Sequence, residues 1–286
     1  MPFIEEAIEA DGAVLVAISK EKIRLLQAEL NGGTDRVTFI EMARIGQNPA
    51  RIIPVWREFV EANVAADRSF SGIGEPAWPE RSAVELDECW RHESLLNLAF
   101  DGVPGWRLLC PYDTEHLDDE VLAAARRSHP FLVEDGSERS SDAYDPALAE
   151  RVLEGELPPP TSEPAEFAFD IGRLGGVRRF VFERARDAGL DRSRSADLEF
   201  AVNELANNSI RHGGGGGTAR IWPEPDALVC EVRDEGQIGE PLTGRDRPDA
   251  IQLTGRGLWL VNQLCDLVQI RSLPGGAVVR LRMRFR

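Results

Sequence analysis

The stretch from Asp197 to Gly217, DLEFAVNELANNSIRHGGGGG, constrains this chain more than any other, because it joins a long amphipathic helix pattern to a polar row that a core helix does not need. Leu198, Val202, Leu205 and Ser209 follow the i, i+4, i+7, i+11 spacing of a buried stripe. Ala201, Glu204, Asn208 and His212 fall on a neighbouring face, which sets a carboxylate and a carboxamide one turn apart. A carboxamide oxygen is a hard ligand suited to Mg2+, and a carboxylate beside it can take a proton from an attacking hydroxyl or water. The spacing therefore suits metal-assisted phosphoryl chemistry. A solvated polar edge ending in a glycine cap shows the same ExxxN spacing, so the pair needs support from the residues that follow.

That support comes in a fixed order. After the run Gly213 to Gly217 come two strand-like segments in TARIWPEPDALVCEVRDEG, the second ending at Asp234 and Gly236. An Asp directly after a strand can accept a hydrogen bond from an exocyclic amine such as adenine N6, and Gly236 leaves room for the ring. Further on, LTGRGLWLVNQLCD places Gly255 and Gly257 at the start of another amphipathic helix. Glycines there let backbone N–H groups approach phosphates at a helix N-terminus, where the dipole favours negative charge.

The joint order ExxxNxxxH, then DxG, then GxGLxLV resembles the GHKL (Bergerat-fold) ATP-binding domains over about the last 120 residues, and within them the anti-sigma-factor serine kinase branch, whose N-box reads ELxxNxxxHG. The resemblance implies Glu204 as general base, Asn208 as Mg2+ ligand and Asp234 as adenine contact. It implies Gly236, Gly255, Arg256 and Gly257 as further positions around the bound ATP. The family's DxGxG box reads DEGQIG here, so Gly239 stands one place late and Ile238 occupies a glycine position.

Composition sets the outer bounds. A chain of 286 residues with 42% hydrophobic and 29% charged residues accommodates two soluble domains. No apolar run approaches the ~20 residues that span a bilayer, AVLVAI at 13–18 being a buried strand candidate, and no basic n-region precedes an apolar core. A cytoplasmic protein without membrane contact is expected. Cys89, Cys110, Cys230 and Cys265 lack CxxC pairing and read as reduced core thiols. The formal charge of −16 argues against direct nucleic-acid binding and favours basic partners. Lys20 and Lys22 are the only lysines, which excludes a catalytic lysine in the C-terminal half.

Toward the N-terminus the chain has βαβ rhythm. MPFIEEAIEADG reads as a short helix, AVLVAIS as a strand, EKIRLLQAEL as a helix and RVTFIEM as a strand. A helix after Pro49 carries Ile53, Trp56, Val60 and Val64 on one face, and GIGEPAWPERSA reads as a Gly/Pro-rich loop. VELDECWRHESLLNLAF is a helix capped by Ser82, WRLLCPYD a buried strand, and DDEVLAAARRSHP a helix stopped at Pro130. This alternation predicts an α/β unit with a mainly parallel sheet. The segments GQNPARIIPVWREF, GIGEPAWPERS, RHESLLNLAF and LLCPYD resemble the MEDS sensory domain, which implies a RecA-like fold over residues 1–145, shortened at its start because the family's opening strand has no counterpart. There is no GxxxxGKS loop to suggest a second ATP site. Glu75, His92 and Asp113 are candidates for a ligand site, against a structural reading as turn carboxylates and a helix-face histidine.

The Ser-, Glu- and Pro-rich stretch ending in PPPTSEPAE predicts a linker over 146–163, before an α+β Bergerat-fold sandwich over 164–286. AEFAFD opens that domain as a strand, and the following helix turns Leu174, Val177, Val181 and Ala185 inward. In the terminal VVRLRMRFR, alternation buries Val279, Leu281, Met283 and Phe285 and puts Arg280, Arg282, Arg284 and Arg286 on the other face, as a solvated row or a surface for an acidic partner. The resemblance implies a cytoplasmic ATP-binding anti-sigma regulator in transcription and stress response. It would be a serine/threonine kinase acting on a STAS-type anti-anti-sigma partner and binding a sigma factor, and it admits a homodimer. The competing reading is a nucleotide-gated binding module that transfers nothing.

Overall fold

The computed structural model describes residues 2–30, 35–134, 136–248 and 255–285. The chain divides into two compact units, Met1–Ala149 and Glu150–Arg286.

In chain order the first unit contains α1 (Pro2–Glu9), β1 (Ala13–Ile18), α2 (Lys20–Glu29), β2 (Val37–Glu41), α3 (Met42–Ile45), α4 (Ile52–Ala65), β3 (Phe70–Gly74), α5 (Ala83–Ala99), β4 (Arg107–Leu109), α6 (Asp119–Ser128), and the hairpin β5 (Phe131–Glu134) and β6 (Ser137–Ser140). β1 is buried along its whole length, as an unbroken apolar run flanked by parallel neighbours must be. Val14 pairs with Val37 of β2 on one side and with Ser71 of β3 on the other. The sheet order among the described residues is β2-β1-β3-β4, all parallel. The chain thus steps outward from β1 to β2 and returns across β1 to β3, so the carboxyl ends of β1 and β3 mark the switch in direction.

Two sequence expectations change here. GIGEPAWPERSA, read as a loop, begins with the last three residues of strand β3, whose glycines lower strand propensity but are needed by the packing. A Cβ at Gly72 would stand 2.7 Å from the Trp106 ring, and one at Gly74 2.9 Å from that of Trp56. Trp106 in turn packs against Trp56, Phe70 and Phe100 at centroid distances of 5.9, 5.8 and 5.5 Å. WRLLCPYD, read as a buried strand, supplies only the three residues of β4, with Arg107 exposed at the sheet edge. On α4 the stripe Ile53, Trp56 and Val60 is buried, but Val64 is exposed because the helix outruns the core. α5 carries the full capping box, Ser82 accepting from the Glu85 N–H while Glu85 accepts from the Ser82 N–H, which satisfies two of the helix's free donors.

The second unit contains β7 (Ala165–Asp170), α7 (Leu174–Asp187), α8 (Arg192–His212), β8 (Gly216–Pro223), β9 (Ala227–Asp234), α9 (Gly257–Leu264), β10 (Leu267–Leu273) and β11 (Gly276–Arg284). Its sheet runs β10-β11-β9-β8-β7, antiparallel throughout. One face packs on the helices: Val177, Val181 and Ala185 of α7 and Leu198, Val202 and Leu205 of α8 share a core with Cys230, Val232, Val279, Leu281 and Met283. Each of those large side chains contributes about 1.5–3 kcal/mol by leaving water. The start of α8 is fixed twice. Asp191 caps it by accepting from the Arg194 N–H at 2.8 Å, and the Arg194 guanidinium forms a buried ion pair with Asp266. Asp266 also accepts from the Arg284 N–H at 2.7 Å, which ties α8 to the last strand.

The arginine row of β11 is not a free surface. Arg280 is buried and donates to Glu231 Oε2 at 2.9 and 2.6 Å; Arg282 pairs with Glu224 at 2.6 Å and with Asp226 at 3.3 Å. Glu231, fully buried on the sheet face turned from the helices, also accepts from Arg233 at 2.6 Å and from Arg220 at 3.2 Å. Burial by itself would raise this carboxyl, but the hydrogen bonds and charges of Arg233 and Arg280 together hold it below the usual carboxylate range.

Glu231→Gln removes the charge three arginines share, and breaking a buried ion pair on one side costs about 3–5 kcal/mol. Chemical denaturation should show that loss near neutral pH. A depressed carboxylate contributes stability that is present above its unfolded pKa and lost as pH falls through its folded one. The gap between wild type and variant should therefore close in acid, below the ordinary carboxylate range.

Candidate functional site

α8 carries two faces to two destinations. Its apolar stripe enters the core, while Glu204 and Asn208 turn toward the first residue of α9: a Cβ at Gly257 would stand 3.0 Å from Glu204 Oε2 and 3.5 Å from Asn208 Nδ2. A side chain there would crowd the Glu204 carboxylate, which glycine leaves its space. The helix ends at His212, and Gly213 donates back to the Ser209 carbonyl at 2.7 Å. Ser209 is buried in the stripe, yet its hydroxyl donates to Asp234 Oδ2 at 2.6 Å, while Asp234 Oδ1 accepts from the Gly236 N–H at 2.8 Å. The carboxylate is thereby pinned at the end of β9. An ionised carboxylate has about four acceptor positions, so two remain for a ligand.

Glycines make this crowding tolerable. A Cβ at Gly213 would lie 2.4 Å from Asp234 Cγ, and one at Gly236 would lie 2.7 Å from the His212 carbonyl oxygen. After Gly236 the chain is held by Ile238 N–H donating to Ser272 Oγ at 2.9 Å and by Gln237 Nε2 donating to the Leu273 carbonyl at 2.7 Å. Ile238, standing at the expected glycine position, packs its side chain against the core, while a Cβ at Gly239 would meet nothing within 4 Å. Gly244 then lies against α9, its carbonyl accepting from Asn262 at 2.9 Å.

These elements enclose a cavity of about 780 Å³. Asn208, Ser209, His212, Asp234, Gly236, Gly255 and Gly257 supply its polar and backbone wall, and Leu205, Val232, Ile238, Leu258, Ala277 and Val279 its apolar floor. Of the residues singled out in the sequence, Asn208, Asp234, Gly236, Gly255 and Gly257 line it directly. Glu204 reaches its edge through Gly257, and Arg256 is the N-cap of α9, its carbonyl accepting from Leu260 N–H at 2.9 Å. Gly255 adopts φ +86°, a left-handed turn into α9 that favours glycine. Leu253 and Thr254, at the start of the LTGRG segment, lie outside the described residues. Ser209 is the wall residue that spacing concealed, since a small hydroxyl in an apolar stripe reads as core. Its one signal is that polarity at a core position.

In the first unit Glu75, His92 and Asp113 stand in three separate settings. Glu75 is buried and ion-paired with Lys22, His92 is buried on α5, and Asp113 pairs with the exposed His116 ring at 3.0 Å. The hydrogen bond from His116 holds the Asp113 carboxyl below its usual range.

Residues 167–283 match the family model of the histidine kinase-like ATPase domain, and residues 1–130 match that of MEDS, the MEthanogen/methylotroph, DcmR Sensory domain. The chain thus carries a GHKL-like ATPase domain behind a MEDS domain, and the ATPase class implies nucleotide binding. No curated protein matches it in sequence. Among solved structures, the RsbU and RsbW domains of a Mycobacterium tuberculosis protein are similar at 23% identity and a TM-score of 0.34, over 43% of this chain and 32% of that one. The chain therefore spans about a third of that relative's length. The Acinetobacter baumannii histidine kinase AdeS is similar at 16% identity and a TM-score of 0.26, over 68% of this chain and 92% of that one. Among the described residues no helix is long and apolar enough to cross a membrane.

Gly213→Ala tests the crowding at Asp234. The new methyl must displace the carboxylate from Ser209, so nucleotide affinity should fall while the helical circular dichroism stays near wild type. A fluorescent ATP analogue reads the first effect.

Proposed function

We propose that the chain is an ATP-binding regulatory protein whose C-terminal domain is a Bergerat-fold anti-sigma kinase. In this reading it phosphorylates Ser or Thr on a STAS-type anti-anti-sigma partner and, in its other state, holds a sigma factor. The observation that carries it is the convergence of Glu204 and Asn208 on the glycine that starts α9, with Asp234 pinned at the other side of the same cavity. The N-terminal MEDS domain, RecA-like in this reading, would modulate that exchange.

The proposed roles follow from position. Asp234 accepts the adenine amine, and Val232, Ile238, Ala277 and Val279 cover the ring with apolar surface. Free N–H groups at the start of α9, with Gly255 and Gly257 clearing the approach and Arg256 between them, face the phosphates. Asn208 fits a hard cation through its carboxamide oxygen, since Gly257 leaves open the space a side chain would fill. Mg2+, when bound there with ATP, neutralises phosphate charge. Glu204 takes the proton of the acceptor hydroxyl.

A nucleotide-gated module without phosphotransfer is the second reading. What favours it is Ile238, whose side chain packs against the core and whose N–H is held by Ser272 where the family's pattern has a glycine.

Asn208→Ala should abolish Mg2+-dependent ATP binding, while Glu204→Ala should leave binding nearly intact and remove phosphotransfer to co-purifying partners. Labelled ATP and isothermal titration separate the two. Equal loss of binding in both variants overturns the assigned roles, and intact ATP binding with no transfer to any partner selects the gated module.

Replacing Asp234 by Ala should cost about 1.5–3 kcal/mol of ATP affinity, the range for a charged hydrogen bond. GTP should bind wild type poorly because its carbonyl would face the carboxylate. Comparable affinity for the two nucleotides would refute the adenine contact.

A further inference from the structure

In the first unit three elements bring together groups that the nucleotide site does not use. Glu93 lies on α5, Cys110 is the first residue past β4, and His129 is the C-cap of α6. One ligand atom from each, a Glu93 oxygen, Cys110 Sγ and a His129 ring nitrogen, lie within 4.8 Å of one another. The place is where parallel sheets gather ligands, off the carboxyl end of a strand.

Three details distinguish this cluster from ordinary core polarity. The Glu93 side chain is only 3% exposed, and its Oε1 finds no hydrogen-bond partner, although buried polar atoms ordinarily have one. Its other oxygen accepts from the Tyr112 hydroxyl, which fixes the carboxylate's direction. The His129 ring is oriented too: Nδ1 lies 2.8 Å from the Ala125 carbonyl and 3.1 Å from Ser128 Oγ, which turns Nε2 toward Glu93 Oε1 at 4.0 Å. A ring nitrogen donated to a backbone carbonyl while the other faces a carboxylate and a thiol is the orientation that metal-bound histidines adopt.

We infer that Glu93, Cys110 and His129 form a binding site for a borderline divalent cation, with Zn2+ as the fitting ion. A thiol, an imidazole and a carboxylate suit Zn2+, whereas Mg2+ and Ca2+ take all-oxygen sets. Bond lengths of about 2.0–2.3 Å around one ion require the three atoms to draw in by roughly 1 Å from their present separations. Burial pushes the Glu93 carboxyl up from its ordinary value and the Cys110 thiol well above its own, and a cation would supply the counter-charge both lack. A nucleophilic role for Cys110 fits less well, since burial keeps the thiol from its reactive thiolate form. Three protein ligands leave the fourth position to water, as in open rather than structural zinc sites. Tyr112 is a positioning residue that acts through Glu93.

The test uses the full chain, stripped with chelator under reducing conditions and titrated with Co2+ as a spectroscopic probe. One equivalent of Co2+ should bind, with a thiolate-to-metal charge-transfer band and the strong visible bands of a four-coordinate ion, and Zn2+ should displace it. Cys110→Ser should lose the charge-transfer band, while Cys89→Ser should keep it. His129→Ala and Glu93→Gln should weaken binding at least about 10-fold, and Tyr112→Phe about 10-fold with the band unchanged in position. ATP affinity should be the same in all of these variants. If Glu93→Gln fails to fold, as circular dichroism would show, Cys110→Ser and His129→Ala decide the matter. Failure of wild type to take up Co2+ or Zn2+, or a charge-transfer band that survives in Cys110→Ser, overturns the site.

Discussion

The second unit depends on how one carboxylate is held. Asp234 ends a strand that is buried on both faces, and it is fixed by a hydroxyl from the core stripe of α8 and by the N–H of Gly236. That arrangement makes the helix, the strand and the following turn one rigid object. It favours glycine at 213 and 236, since a methyl at Gly213 would collide with the Asp234 carboxyl and one at Gly236 with the His212 carbonyl. The cavity is the space left when these small residues bring backbone close to backbone, and its apolar floor is the continuation of the core.

The same physics acts differently on the two faces of the antiparallel sheet. On the helix side, Val232, Leu281 and Met283 need only volume and shape. On the other, Glu231 is fully buried and must be paired, and arginines from β8, β9 and β11 converge on it. In the first unit the parallel sheet leaves no such polar face to β1, and polar groups gather instead at strand ends: Glu75 after β3 with Lys22, and Cys110 after β4 with Glu93 and His129.

Much of the architecture was legible in local pattern. The 3.6-residue stripe of Leu198, Val202 and Leu205 marked α8, alternation marked β11, and Ser82 marked the start of α5. Strand β3 was not legible, because its glycines read as a turn until the Trp56 and Trp106 rings that lie over them are known. The arginines of β11 were misread for a related reason. Period-two alternation tells which side chains share a face but not what else reaches that face, so a buried ion network and a solvated row look alike.

The chain by itself determined which residues share a helix face or a strand face, where helices begin, and that Glu204, Asn208, Asp234 and the glycines at 236, 255 and 257 occur in a nucleotide-domain order. These are short-range properties, fixed by helical and strand periods and by backbone freedom at glycine. Tertiary structure alone decided that Ser209 reaches Asp234 across 25 residues, that Ile238 joins the core, and that Glu93, Cys110 and His129 meet. Such contacts depend on the distances between elements, which packing sets and local sequence does not encode.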